Sequence, residues 1–176
     1  MKGSNMYVFI SCSKSKLDKP RTAQEMYSPS DIFTKRFAYT REITSRDKIF
    51  ILSAKYGLLR LDDVIEPYDL FLNDQSTEYK SKWAEKVIKQ MKEQGIDFNE
   101  KCYFATNSCY SELLSKAFPN SLTETDAVYN QFHKRSLGYR GGFYKHLISQ
   151  IRAITSESNT PYRYTQKATN RNIEQI

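Results

Sequence analysis

Histidine is nearly missing from this chain of 176 residues, with only His133 and His146 present. Cysteine is scarce too: Cys12, Cys102 and Cys109 stand far apart, and no CxxC or HxxxH spacing occurs. A zinc site of thiolates and imidazoles therefore has no ligand set to use. An odd number of unpaired cysteines argues against a disulfide framework and for a reducing, cytoplasmic setting. No apolar run is long enough to span a bilayer, so no membrane partner is expected. The apolar stretch after the opening residues is too short for a secretion signal and lacks a small-residue cleavage site. The opening MKGSN reads as native or as an addition ahead of a start at Met6. No internal repeat shows, and the glycine pair and GK[ST] ending of a Walker A loop are absent.

What is present suits one globular domain. Hydrophobic residues make up 39% and charged residues 27%, enough for a core and a solvated surface. The expected organisation is a single domain over 1–154 and a polar tail over 155–176, where apolar periodicity ends. The net charge is +7 and unevenly spread. Residues 1–60 carry 12 basic and 5 acidic side chains, residues 61–100 carry 5 and 10, and residues 101–176 carry 10 and 5. A basic balance fits a polyanionic partner or a phosphorylated ligand, and equally a charge kept for solubility. The 13 tyrosines serve base stacking or half-buried packing.

The periodicity predicts three strands, each followed by a helix. MYVFIS (6–11), KIFILSA (48–54) and KCYFATN (101–107) are apolar and β-rich, and the second is continuous enough to be buried on both faces. Helices are expected after Ser30, with Ile32, Phe33, Phe37 and Ile43 as a stripe, and after Ser76, with Trp83, Val87 and Met91 inward and Gly95 as the stop. Two more are expected over SCYSELLSKAF, with Leu113, Leu114 and Ala117 apolar, and over GGFYKHLISQIRAI. Residues 120–137 read as a short strand and a loop. The fold class is thus α/β: three layers, a mostly parallel sheet flanked by helices. Ligands in such folds bind at the carboxyl ends of the strands. Those ends carry SCSKSK, SAKYGLL and TNSCYSE, which together would make a small cleft rich in hydrogen-bond donors.

Each segment has a chemical and a plain reading. Cys12, Ser13, Lys14 and Lys16 can hold an anion if backbone N–H groups also point inward. Cys12 can act as a nucleophile beside the lysines, or be a small buried residue, and the lysines can be simple surface charges. In SAKYGLL, Ser53 ends the strand, Tyr56 offers a stacking ring and Gly57 a backbone turn. Glu66 and Asp69 flank Pro67 and Tyr68. Two carboxylates suit glycosidic-bond chemistry, or an acidic loop that offsets the basic N-terminal part. Asn107 and Ser108 open a helix, where they suit an anion or a cap. Phe132–Gly142 mixes His133, Lys134, Arg135, Tyr139 and Arg140 with glycines, as a nucleic-acid strand or a flexible basic loop would.

ISCSKSK, MYSPSDIFTKRFAY, ILSAKYGLLRLDDVIEPYDLFLN and YFATNSCYSELL together resemble the YaaA-like superfamily, which includes the peroxide-stress proteins and small domains of bacteria and phages. LSAKYGLL and IEPYDL carry most of the likeness, which spans about Met6 to Leu114. The positions that match are Cys12, Ser13, Lys14, Tyr27, Ser53, Tyr56, Gly57, Asp63, Glu66, Pro67, Tyr68 and Asn107. The resemblance implies an α/β fold with a positively charged cleft, DNA binding and protection against oxidative damage. It also implies chemistry on modified bases.

The resulting expectation is a protein that recognises a nucleotide or nucleobase, with N-glycosidic chemistry on a nucleoside, nucleotide or base in nucleic acid. Glu66 or Asp69 would be the carboxylate, Lys14 and Asn107 would hold phosphate or sugar, and Tyr56 or Tyr68 would stack on the base. No metal or other cofactor is required. The alternatives are a DNA-binding or nucleotide-sequestering protein without turnover, and a homo-oligomeric or accessory member of a modification complex.

Overall fold

The computed structural model describes residues 6–125, 127 and 142–150. In chain order the elements are β1 (Tyr7–Ser11), β2 (Arg21–Thr22), α1 (Ala23–Met26), α2 (Asp31–Ile43), β3 (Ile49–Ser53), β4 (Gly57–Arg60), β5 (Val64–Ile65), α3 (Thr77–Glu93), β6 (Cys102–Ala105), α4 (Ser108–Leu114) and β7 (Ser121–Thr123). Residues 142–150 are helical. Short 3₁₀ turns precede β3 and α3 and follow α4.

The apolar runs form the sheet. Every residue of β1, β3 and β6 is buried, which is what unbroken hydrophobic strands require when helices cover both faces. The strand order is β4–β3–β1–β6–β7, and β4 alone runs antiparallel. Register sets Phe9 opposite Phe50 and Phe104. Their rings lie 6.1 and 5.1 Å from that of Phe9, and Phe118 adds a fourth at 5.5 Å. Burying each such ring contributes roughly 1.5–3 kcal/mol.

α2 starts where expected, with the Ser30 hydroxyl accepting from the Phe33 N–H at 3.3 Å. Its inner face differs from the expected stripe. Phe33, Arg36 and Thr40 are buried, while Ile32, Phe37 and Ile43 are only half-buried. A charged residue displaces them because Arg36 finds a carboxylate inside the protein. α3 follows its sequence pattern: Ser76 caps it, Trp83, Val87 and Met91 are buried, and Gly95 follows at φ +70°. In α4 the buried residues are Tyr110, Ser111 and Leu114, whereas Ala117 is exposed.

The hairpin between β3 and β4 is absent from the sequence reading. Gly57, at φ +82°, reverses the chain. Gln90 of α3 braces it by accepting from the Leu58 N–H at 2.9 Å and donating to the Tyr56 carbonyl at 3.2 Å. Asp63 takes the Arg60 N–H at 2.7 Å, so this edge strand's outward donors are capped by side chains.

The chain steps from β1 to β3 on one side, then returns to β6 on the other. Strand order thus reverses at β1, and the carboxyl ends of β1, β3, β6 and β7 share one edge. Among the described residues, no helix is long and apolar enough to cross a membrane. The expected tail 155–176 lies outside the described residues.

Candidate functional site

At the edge where the parallel strands end, the first group gathers around β1 and β3. Pairing continues one residue past β1, with the Cys12 N–H donating to the Leu52 carbonyl at 2.9 Å. The chain then turns through a Ser13 hydroxyl bond to the Ser15 carbonyl at 2.8 Å. β3 ends at Ser53, whose hydroxyl accepts from the N–H groups of Lys55 and Tyr56 at 3.3 and 3.0 Å. That local turn leads into Gly57. Ser53 Oγ also lies 2.8 Å from the Tyr68 hydroxyl, which is 2.9 Å from that of Tyr27. Cys12 Sγ lies 3.1 Å from the Tyr110 hydroxyl and is near enough to Tyr68 to act on its phenol electrostatically. Residues far apart in the chain therefore meet in one hydroxyl–thiol cluster.

Burial, with the Cys12 thiol adding to it, pushes the phenols of Tyr27, Tyr68 and Tyr110 well above the ordinary tyrosine range. Above the cluster the character changes. Tyr56 and Tyr68 meet edge to face with ring centres 5.5 Å apart. Lys16 Nζ stands 4.3 Å from the Tyr68 ring centre, and Lys55 Nζ stands 5.0 Å from that of Tyr56 and 5.9 Å from that of Tyr68. Burial lowers the pKa of Lys16, opposed by Cys12 and Asp69. The Tyr56 hydroxyl donates to the Glu66 carbonyl at 3.3 Å, which ties the EPYD segment to the hairpin. Lys14, Glu66 and Asp69 are exposed.

The second group lies where strand order reverses. Arg36 enters from α2, fully buried. Its Nε and Nη2 each reach one oxygen of Glu124 at 2.7 Å, Nη1 donates to the Ser11 hydroxyl at 3.1 Å, and Nη2 to Asn107 Oδ1 at 3.1 Å. The Tyr144 hydroxyl donates to Glu124 at 2.7 Å and lies 2.7 Å from that of Tyr103. Burial alone would favour loss of the guanidinium proton, yet the Glu124 carboxylate more than offsets it and holds Arg36 above its usual range. Asn107 is the N-cap residue of α4 but makes no side-chain cap bond, because its oxygen serves Arg36. Next to it, the buried Thr106 hydroxyl has no hydrogen-bond partner among the described residues.

Cys12, Lys16, Tyr27, Ser53, Tyr56, Gly57 and Tyr68 thus stand together, with Asp69 close enough to act on Lys16. Asn107 belongs to the neighbouring Arg36 group, and Ser108 is half-buried at the first position of α4. Arg140 lies outside the described residues. Arg36, Tyr110, Glu124 and Tyr144 are absent from the sequence reading. Tyr110 had a signal, being an aromatic two residues into a helix that follows a strand end; Arg36 and Glu124 had none.

Two cavities lie elsewhere. One of about 290 Å³ sits by the start of β3 between Phe37, Arg41, Arg46 and Leu61, and one of about 120 Å³ flanks β4 beside Gln90 and Gln94. Among the described residues, no three His, Cys, Asp or Glu side chains gather as a metal site would need.

A comparison with curated proteins finds no match. A family model does match, over residues 7–157, and so covers both groups. By that match the chain belongs to DUF6884, a family of unknown function.

Proposed function

We propose that the carboxyl rim of the sheet binds a nucleotide, or a base within a nucleic acid, and acts on its N-glycosidic bond. The observation that carries this is the Tyr56–Tyr68 ring pair with the Lys16 and Lys55 ammonium groups beside it. A base is a flat ring that stacks on a phenol, and the phosphate attached to it is an anion that lysine receives. Exposed Lys14 adds a third cation, on the same loop as Lys16. Glu66 and Asp69 lie two and one residues from Tyr68 along the chain, and either carboxylate would suit a developing oxocarbenium ion. The resemblance of LSAKYGLL and IEPYDL to the YaaA-like superfamily supports a nucleic-acid or nucleotide partner, and the net charge of +7 agrees with one. The chemistry draws on no metal or redox cofactor.

Titration with nucleoside monophosphates, followed through the NMR signals of the tyrosine rings, tests the reading. Signals of Tyr56 and Tyr68 should move first. If neither ring responds to any of the common bases, the reading fails. Binding without turnover is a second reading, favoured by one observation: both carboxylates are exposed, whereas glycosidic chemistry gains from excluding water. Release of free base, followed by chromatography, separates the two.

A further inference from the structure

We infer that Lys16 is an amine nucleophile of this rim, adding to the anomeric carbon of a pentose, displacing the base and passing through an imine with the open-chain sugar. The inference rests on the glycosidic reading above and narrows it to one substrate class: sugars that open to an aldehyde at that carbon.

Its ground is where the amine sits. Unlike exposed Lys14, Lys16 is half-buried, with Nζ held 4.3 Å from the Tyr68 ring centre and donating to the Lys14 carbonyl at 3.3 Å. Among the described residues, Lys35, Lys48, Lys82 and Lys89 form ion pairs, and Lys16 does not. Asp69 still acts on it electrostatically, as does Cys12. A lysine partly stripped of water, with a carboxylate near but not clamped to it, gives up its proton more readily than a surface lysine. Such amines serve as nucleophiles toward carbonyl carbon and its equivalents. The Tyr56–Tyr68 pair beside Nζ would hold a base with its sugar turned toward the amine.

The steps balance. The Lys16 ammonium passes a proton through a bridging water to Asp69, and the amine lone pair forms a bond to the anomeric carbon. The bond from that carbon to the base breaks, the base leaves with the electron pair, and it takes up the proton that the new secondary ammonium releases. The nitrogen lone pair then opens the ring, Asp69 returns its proton to the ring oxygen, and an imine remains. Water adds to the imine carbon and restores the amine. The sum is nucleoside plus water giving base plus sugar.

Reductive trapping tests this. The full chain is incubated with cyanoborohydride and an oligonucleotide bearing an abasic site, and separately with ribose 5-phosphate, and adducts are mapped by mass spectrometry. The reduced adduct should favour Lys16 over exposed Lys14 and Lys55, because its half-buried amine gives up its proton more readily. Lys16→Arg, which keeps a cation over the ring, should stay folded by circular dichroism and lose the adduct. Adducts spread evenly over the lysines, or absent from Lys16, overturn the inference. Nucleoside monophosphate titration alongside separates the two levels. Tyr56 and Tyr68 signals that move without a Lys16 adduct sink the nucleophile and leave the binding site. Rings that stay still and no Lys16 adduct sink both.

Discussion

Arg36 and Glu124 meet in a two-pronged ion pair, each contact 2.7 Å long, with both side chains shut off from solvent. Such a pair is weak evidence of net stabilisation, because desolvation costs much of what attraction returns. Breaking it from one side is different. Glu124→Gln leaves a guanidinium buried without its counter-charge, and it should lower unfolding free energy by about 3–5 kcal/mol in urea titration. Replacing both partners, as Arg36→Met with Glu124→Leu, should cost much less. A double variant that costs the sum of the two single ones would show that the pair is not coupled.

The same pair shows where sequence reading stops. β1, β3 and β6 were legible because a strand buried on both faces must be apolar throughout. α3 was legible because its cap, its i, i+4, i+8 core and its terminal glycine agree. Arg36 was not, because a charged residue on a helix ordinarily faces water, and its partner lies 88 residues along the chain. The β4 hairpin escaped because Gly57 turns the chain within what reads as one strand exit, and only Gln90 across the fold reveals its bracing. The strand ends were visible as motifs. Their meeting depends on strand order, which no local pattern carries.

Alkaline pH should expose the buried phenols. Tyr27, Tyr39, Tyr68, Tyr103, Tyr110 and Tyr144 all have pKa values raised above the ordinary tyrosine value of 10.0, chiefly by burial, with Tyr39 pushed up to about 12. The folded state therefore keeps protons that the unfolded chain gives up. Stability from these groups is complete below about pH 10 and drains away as pH rises through the folded values. Tyrosinate absorbance should show these six ionising only together with loss of near-ultraviolet circular dichroism. Titration of all 13 tyrosines in one step near pH 10, with the dichroism intact, would contradict the burial of the cluster.

Two glycines with positive φ should respond differently to alanine. Gly95 at +70° has nothing near a new Cβ, so Gly95→Ala meets only backbone strain of about 1–2 kcal/mol. At Gly57, +82°, a Cβ would run into the Gln90 side chain that holds the hairpin. Gly57→Ala should therefore cost more than Gly95→Ala in chemical unfolding. It should also disturb the Tyr56 ring signals, since Gln90 anchors the Tyr56 carbonyl. Equal costs would mean that Gln90 moves aside freely.

The two carboxylates should separate by their relation to Lys16. The Glu66 backbone is tied to the Tyr56 hydroxyl, whereas Asp69 is the carboxylate that raises the Lys16 pKa against the lowering effect of burial. If Asp69 takes up the lysine proton and returns it to the ring oxygen, Asp69→Asn should slow base release by about a hundredfold or more, the scale of general acid–base contributions. Glu66→Gln should cost less. The same substitution has an opposite effect on the amine itself. Removing the negative charge takes away what favours the ammonium form, so the Lys16 pKa falls further and the neutral amine persists to lower pH. The yield of the reduced Lys16 adduct with ribose 5-phosphate, measured against pH, should therefore shift its acid limb downward in Asp69→Asn and stay in place in Glu66→Gln. A limb that moves in Glu66→Gln and not in Asp69→Asn would exchange the roles of the two carboxylates.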